Sequence, residues 1–201
     1  MQGAERQAIG VVWTVLREEL SFPQAVVLLV EVQLGKMRGE PFRALEPPTS
    51  IRDRLSRAQV GPLVLLVRAV RKRRGAEAAL RVGRAVAREG ALGFLERMVP
   101  NHAAQTLAER PREIAEELLG RFFNAEGVVR VEGDTASIDV QRCHFVRLLE
   151  AIDESDIAPL MCEADLSFFD GKRRAIRLHR SQTLAQGASH CDFVFRLDRH
   201  D

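Results

Sequence analysis

The sequence predicts an α+β protein: a helical N-terminal layer, then a small antiparallel sheet of about four strands with two helices on one face. Three observations carry this reading. Through about residue 126, apolar residues recur at helical spacing in short segments punctuated by glycine and proline. At Gly127 the pattern changes to two β-rich runs, Val128 to Glu132 and Thr135 to Gln141, separated by Gly133-Asp134. Near the end, Ala175 to Ser181 and Cys191 to Leu197 alternate apolar and polar residues, as half-buried strands do. The expected division is a helical region over 1–126 and an α+β region over 127–201. The chain's 201 residues suffice for one large domain or two small ones.

Taken in order, residues 4–20 place Ile9, Val12, Trp13, Leu16 and Leu20 on one helical stripe. Ser21 reads as an N-cap, with Pro23 in the first turn and Gln24 three residues on, opening a helix to about Leu34. Gly35 to Pro48 is a break. Thr49 or Ser50 caps a short helix through Ala58, and Gly61-Pro62 is expected to restart the chain. Leu63 to Arg74 reads as a helix ended by Gly75, and Ala76 to Arg88 as one stopped by Gly90. A short helix over about 91–98 ends before Pro100. Asn101 caps a segment from His102 to about Ala125, which Pro111 either interrupts or enters in the first turn of a second half. In the last third, Cys143 to about Ala151 and Asp156 to Cys162 return to helical spacing.

Composition narrows the function classes. With no Tyr and one Trp, the chain lacks a stacking wall for single-stranded nucleic acid. A formal net charge of +2 is no polyanion-binding signature, so no nucleic-acid partner is expected. The N-terminus lacks a basic region followed by an apolar core, and no apolar run approaches a bilayer span. Three cysteines, an odd number without repeated spacing, argue against a disulfide framework and for a reducing, cytoplasmic setting. The basic run Arg68, Arg71, Lys72, Arg73, Arg74, Arg81, Arg84 and Arg88 is expected to be a solvated helix surface. Most of Asp153, Glu154, Asp156, Glu163 and Asp170 are expected to face solvent. His102 and His179 are read as structural and His200 as terminal.

Candidate chemistry gathers late in the chain. Arg180 to Phe193 reads as strand, polar loop, strand, and the loop holds hydroxyls, amides, a glycine, a histidine and a cysteine. Cys143, Cys162 and Cys191 are all the cysteines present. Three readings stand side by side. Isolated cysteines serve as small buried hydrophobes, and Cys191 shares its alternation with Phe193, Phe195 and Leu197. Thiolates with one nitrogen or oxygen donor suit zinc or iron, or an iron–sulfur cluster with an open iron, although the spacing matches no zinc ribbon. Alternatively one cysteine is a nucleophile, with His190 or His144 as base and Asp165 as orienter. Adjacent strand residues face opposite sides, so His190 must still lie in the loop to share a site with Cys191. Asp165 is singled out because it is expected in a break between helix and strand, beside Cys162. Walker, Rossmann, His-Glu-x-x-His and Gly-x-Ser-x-Gly patterns do not occur.

The segments Arg142-Cys143, Leu160-Met161-Cys162-Glu163-Ala164-Asp165, Arg180-Ser181-Gln182-Thr183 and Gln186-Gly187-Ala188-Ser189-His190-Cys191-Asp192-Phe193 together resemble a known family. It is the L-2-amino-thiazoline-4-carboxylic acid hydrolase family, whose members show an Arg-Cys, a Cys-x-x-Asp and a terminal Thr-Gln-Thr…Gln-Gly-x-x-His-Cys-Asp-Phe. Ser181 stands where the family often has threonine. The resemblance implies ring-opening hydrolysis of a 2-aminothiazoline carboxylate to N-carbamoyl-cysteine, or a related C–N or C–S hydrolysis. It implies Cys191, His190 and Asp165 as catalytic residues, and Arg180 (or Arg142), Gln182, Thr183 and Gln186 as substrate-binding. The attacking group would be a cysteine thiolate or a hydroxide on zinc, iron or a cluster held by Cys143, Cys162 and Cys191. The partner is then a small-molecule substrate, with homo-oligomerisation open. The alternative is a non-catalytic sensor or carrier that binds a metal, an iron–sulfur cluster or a small ligand through the same cysteines.

Overall fold

The structure is a computed structural model and describes residues 10, 12–18, 20–100, 103–133, 135–169 and 175–197. The expected caps and ends at Asn101, His102, Asp134, Asp170 and His200 lie outside the described residues. Residues 12–18 are helical. Helix α1 spans Phe22–Met37, with Pro23 in its first turn and the Gln24 carboxamide oxygen accepting from the Ser21 N–H at 3.1 Å. This is the capping arrangement that the Ser-x-x-Gln spacing predicts.

Helix α2, Ile51–Met98, departs furthest from expectation. Ser50 caps it, its hydroxyl accepting from the Asp53 N–H at 3.1 Å. The helix runs straight through Gly61-Pro62, which was expected to restart the chain. An interior proline costs about 3 kcal/mol of helix propensity. Against that, Val60, Val64, Val67 and Val70 are each fully buried on one stripe, and each buried side chain returns about 1.5–3 kcal/mol. Burial therefore outweighs the lost N–H. Gly75 does break the helix: its φ of +83° is left-handed, a conformation that glycine adopts without steric penalty. Gly90 does not stop it, because Ala91 and Leu95 just beyond are buried and hold the helix to 98.

Helices α3 (Ala103–Glu109) and α4 (Pro111–Arg121) follow, with Pro111 at the start of α4. Strands β1 (Ala125–Glu132) and β2 (Thr135–Cys143) form a hairpin in which Glu132 pairs with Thr135. Helix α5 (His144–Glu150), a 3₁₀ turn at Ser155–Ile157 and helix α6 (Ala158–Phe169) lead to β3 (Ile176–His179). A second 3₁₀ turn, Leu184–Gln186, precedes β4 (Cys191–Leu197). The sheet is wholly antiparallel in the order β1-β2-β4-β3. The β1–β2 register shifts between Glu126 and Gly127. A side chain at Gly127 would sit 2.3 Å from the Asp139 carbonyl oxygen, so the close backbone approach there requires glycine.

Two apolar clusters form. The first joins α1, most of α2, α5 and the start of α6. The second joins the end of α2, α3, α4 and the end of α6 to the sheet's inner face. The sheet is thus covered by helices from both sides of residue 126. Arg52 at the start of α2 ties the clusters together, donating to the carbonyls of Phe123 and Ala125 at 3.3 and 2.9 Å. The basic run of α2 meets the acidic stretch: Arg68 and Arg71 both bind Glu154 at 2.7 Å, and Arg84 binds Glu163 at 2.6 Å. Glu154 is buried, contrary to the solvent-facing expectation, because two guanidiniums neutralise it there.

Candidate active site

A cavity of about 60 Å³ lies on the seam between the two apolar clusters. Four elements supply its chemistry. Helix α6 contributes Cys162 and Asp165, one turn apart and so on one face. Strand β4 contributes Cys191 and Phe193, which share a face two residues apart. The end of β2 contributes Cys143, since pairing of Val140 with Cys191 brings the two strand ends together. Helix α2 contributes Gln59, and Asn124 enters just before β1. Phe94, Phe122, Phe145 and Met161 make most of the remaining wall apolar. The three cysteines expected to converge thus line one cavity. Asp165 lies inside α6 rather than in the expected break, because α6 continues to Phe169 to bury Phe168 and Phe169.

Burial sets the electrostatics. It pushes the Asp165 carboxyl up to about 7, and the nearby Arg180 guanidinium only partly opposes this. Asp165 keeps 31% of its side-chain surface accessible although protein surrounds it. Asp165 is one of the residues that line the cavity. Burial also raises all three thiols. At Cys143 the N–H groups of Val146 and Phe145 oppose the rise, and at Cys162 the Asp165 charge adds to it. At Cys191 the opposing groups are the Leu184 N–H, which donates to its sulfur at 3.2 Å, and Arg180. The resting cysteines are therefore neutral thiols that need a base to become nucleophiles.

Arg180 is the hinge of the arrangement. Its side chain is only 4% exposed. One guanidinium nitrogen donates to the Cys162 carbonyl at 3.0 Å. The other, Nη1, lies 3.8 Å from the Asp165 carboxylate and makes no hydrogen bond. The guanidinium carbon lies over the Phe193 ring, 5.3 Å from its centre, in cation–π contact. On its other side Arg180 lines a second, outer groove of about 190 Å³, together with Cys162, Glu163, Gln182, Thr183 and Gln186. All four expected substrate-binding residues therefore meet in one groove, and Cys162 borders both spaces.

The loop that carries them is held by Asp192. Its carboxylate accepts from the Ser181 hydroxyl at 2.6 Å and from the Ser181 and Gln182 N–H groups at 3.0 and 2.8 Å. Burial works against that charge, but these donors hold the carboxyl below its usual range. Ser181, at the position where threonine is frequent, thus keeps the hydroxyl that this contact uses. Buried Thr183 donates to the Gln186 carboxamide at 3.0 Å and closes the 3₁₀ turn that aims the Leu184 N–H at Cys191.

His190 lies in the loop as its glycine predicts, but it borders neither space. Its ring nitrogens lie 2.9 and 3.1 Å from the Gln182 amide nitrogen, with Ser189 Oγ at 3.1 Å from Nδ1. His144 binds Glu126 at 2.8 Å, and Arg142 pairs with the same glutamate at 3.5 Å. Neither reaches the cavity. Among the described residues no group of three or more His, Cys, Asp or Glu side chains is placed to hold a metal ion. The described cysteines line a common space without forming a ligating cluster for zinc, iron or an iron–sulfur centre. Sequence reasoning missed Gln59, Asn124 and Phe94, which lie in stretches with no motif to mark them.

The model of the L-2-amino-thiazoline-4-carboxylic acid hydrolase family matches residues 53–195, which take in α2 except its first two residues, the sheet except the last two residues of β4, and every cavity-lining residue. No curated protein and no solved structure matches the chain. The chain belongs to the L-2-amino-thiazoline-4-carboxylic acid hydrolase family.

Proposed function

We propose that this member of the L-2-amino-thiazoline-4-carboxylic acid hydrolase family opens a small thiazoline-type ring, taking a 2-aminothiazoline-4-carboxylate to N-carbamoyl-cysteine. The observation that carries the reading is the placement of Asp165 and Cys191 on one cavity, with Arg180 between that cavity and a polar groove. At about 60 Å³ the inner space has room for a few waters but not for a substituted ring, and the outer groove is about three times as large. The ring therefore sits in the outer groove, its carboxylate on Arg180 and its amidine carbon toward the inner cavity. Gln182, Thr183 and Gln186 border the groove and orient the ring, and His190 positions Gln182 rather than touching the reacting atoms.

Asp165, half protonated near neutrality, passes protons in both directions. The protonated carboxyl first gives its proton to the amidine nitrogen. The resulting carboxylate takes the Cys191 thiol proton as the sulfur bonds to C2. The bond from C2 to the ring sulfur then breaks, and the leaving thiolate takes the proton from Asp165. Water adds to the carbon of the remaining isothiouronium and loses a proton to Asp165. The carbon–Cys191 bond breaks, with the sulfur protonated by Asp165 as the hydroxyl proton returns to the carboxylate. One water is consumed, and the product is a urea with a free thiol.

The test is turnover of 2-aminothiazoline-4-carboxylate, read as thiol release. We expect Cys191→Ser and Asp165→Asn each to lower kcat by at least about 10²-fold with the circular dichroism unchanged. The wild-type kcat/KM should fall as pH rises through about 7, where Asp165 loses its proton. Turnover that survives Cys191→Ser would overturn covalent catalysis. No turnover by the wild type would leave a small-ligand binder.

A further inference from the structure

Arg180 Nη1 is buried, has no hydrogen-bond acceptor and stands 3.8 Å from Asp165, too long for a hydrogen bond between them. A buried guanidinium nitrogen left without an acceptor costs free energy that a better-placed anion recovers. The same side chain borders the outer groove, where a carboxylate would find it beside Gln182, Thr183 and Gln186. Among the described residues, the titratable groups that act on Asp165 are Arg180 from the loop after β3, Cys162 on its own helix and Cys191 on β4, while Cys143 at the end of β2 shares the cavity. Among these only Arg180 carries a charge, because the thiols are neutral.

We propose that Arg180 is a shared cation: a small carboxylate bound in the outer groove takes it over from Asp165, and Asp165 takes up a proton in return. This rests on the groove and cavity described for the hydrolase reading, but it concerns binding rather than turnover. Arg180 thus binds the carboxylate directly and passes the effect of that binding to Asp165. The consequence is that the acid in the inner cavity is loaded only when a carboxylate occupies the groove. Water entering the cavity alone would meet a partly ionised Asp165, whereas a bound substrate meets a proton donor. Linkage requires the reciprocal effect: carboxylate binding strengthens as pH falls through the range where Asp165 titrates.

The experiment is calorimetric titration of the full chain with cyclopentanecarboxylate, which has no group titrating near neutrality, at pH 7 in buffers of different ionisation enthalpy. The expected result is net uptake of roughly half a proton per carboxylate bound, since Asp165 starts about half protonated. Asp165→Asn should bind the carboxylate with no uptake, and Arg180→Gln should lose at least about tenfold in affinity. Binding to the wild type without proton uptake, or uptake that persists in Asp165→Asn, overturns the proposal. So does an absence of binding. Turnover of the aminothiazoline carboxylate is followed separately. Uptake without turnover sinks the hydrolase reading alone, and turnover without uptake sinks only the shared cation.

Discussion

At the scale of single residues, Asp165 carries most of the proposed chemistry. Its folded-state proton affinity exceeds that of an unfolded aspartate, so the native state binds more protons between about pH 4 and 7. Stability from this group is complete below the unfolded value and is lost as pH rises through about 7. Asp165→Asn mimics the protonated form and removes that loss. The variant should therefore gain stability relative to the wild type between pH 5 and pH 8. Thermal melts of both proteins at the two pH values check this, and a constant difference between them would contradict it. The spacing to Cys162 singled out Asp165, but its surroundings were not legible: helix α6 holds it, and burial beside the cavity raises its proton affinity. Gln59 and Asn124 were not legible at all. Each is a single amide in helical or turn sequence, and only packing brings them against the cysteines.

At the scale of elements, periodicity identified helices and strands, and glycine and proline misled where burial was strong. Pro62 and Gly90 lie inside α2 because the apolar stripe on either side is buried; Gly75 ends a segment because its φ is left-handed. Gly83 serves a different need. A side chain there would lie 2.8 Å from Val67 Cγ2 and 3.0 Å from Leu160 Cδ1. It lets the second half of α2 approach both the first half and α6, the helix that carries Cys162 and Asp165. Gly83→Leu should cost about 3 kcal/mol by overpacking. Gly90→Ala, at an exposed helical site with nothing within 4 Å, should gain up to about 1 kcal/mol. Urea unfolding of the two variants measures the contrast.

At the scale of the whole molecule, the change of pattern near residue 126 marks where secondary structure changes type. The sheet's inner face packs on α3, α4 and the end of α2 as well as on α6. A fragment of residues 127–201 would expose the apolar surface those helices cover, a loss that a sheet of four strands does not make good. We expect the fragment to lack cooperative unfolding and dispersed amide resonances, and a folded fragment would show that the seam is a true boundary. The seam bears on the proposed function because the cavity lies on it, with Gln59, Phe94 and Phe122 from one side of residue 126 and Cys143, Asp165 and Cys191 from the other. No helix among the described residues is long and apolar enough to cross a membrane.

What could be read from the chain alone was local or carried by motif. Helical spacing, strand alternation and the hairpin turn follow from side-chain periodicity, and the Cys-x-x-Asp and His-Cys-Asp-Phe segments mark the family. These depend on residues close in sequence, where backbone geometry dictates which side chains share a face. Folding alone determined which marked residues meet. It separated His190 from the cavity, moved Asp165 into a helix, turned Arg142 toward Glu126 and placed buried Arg180 between two spaces. Those outcomes come from packing between elements far apart in sequence, and burial, not spacing, sets the charge states there.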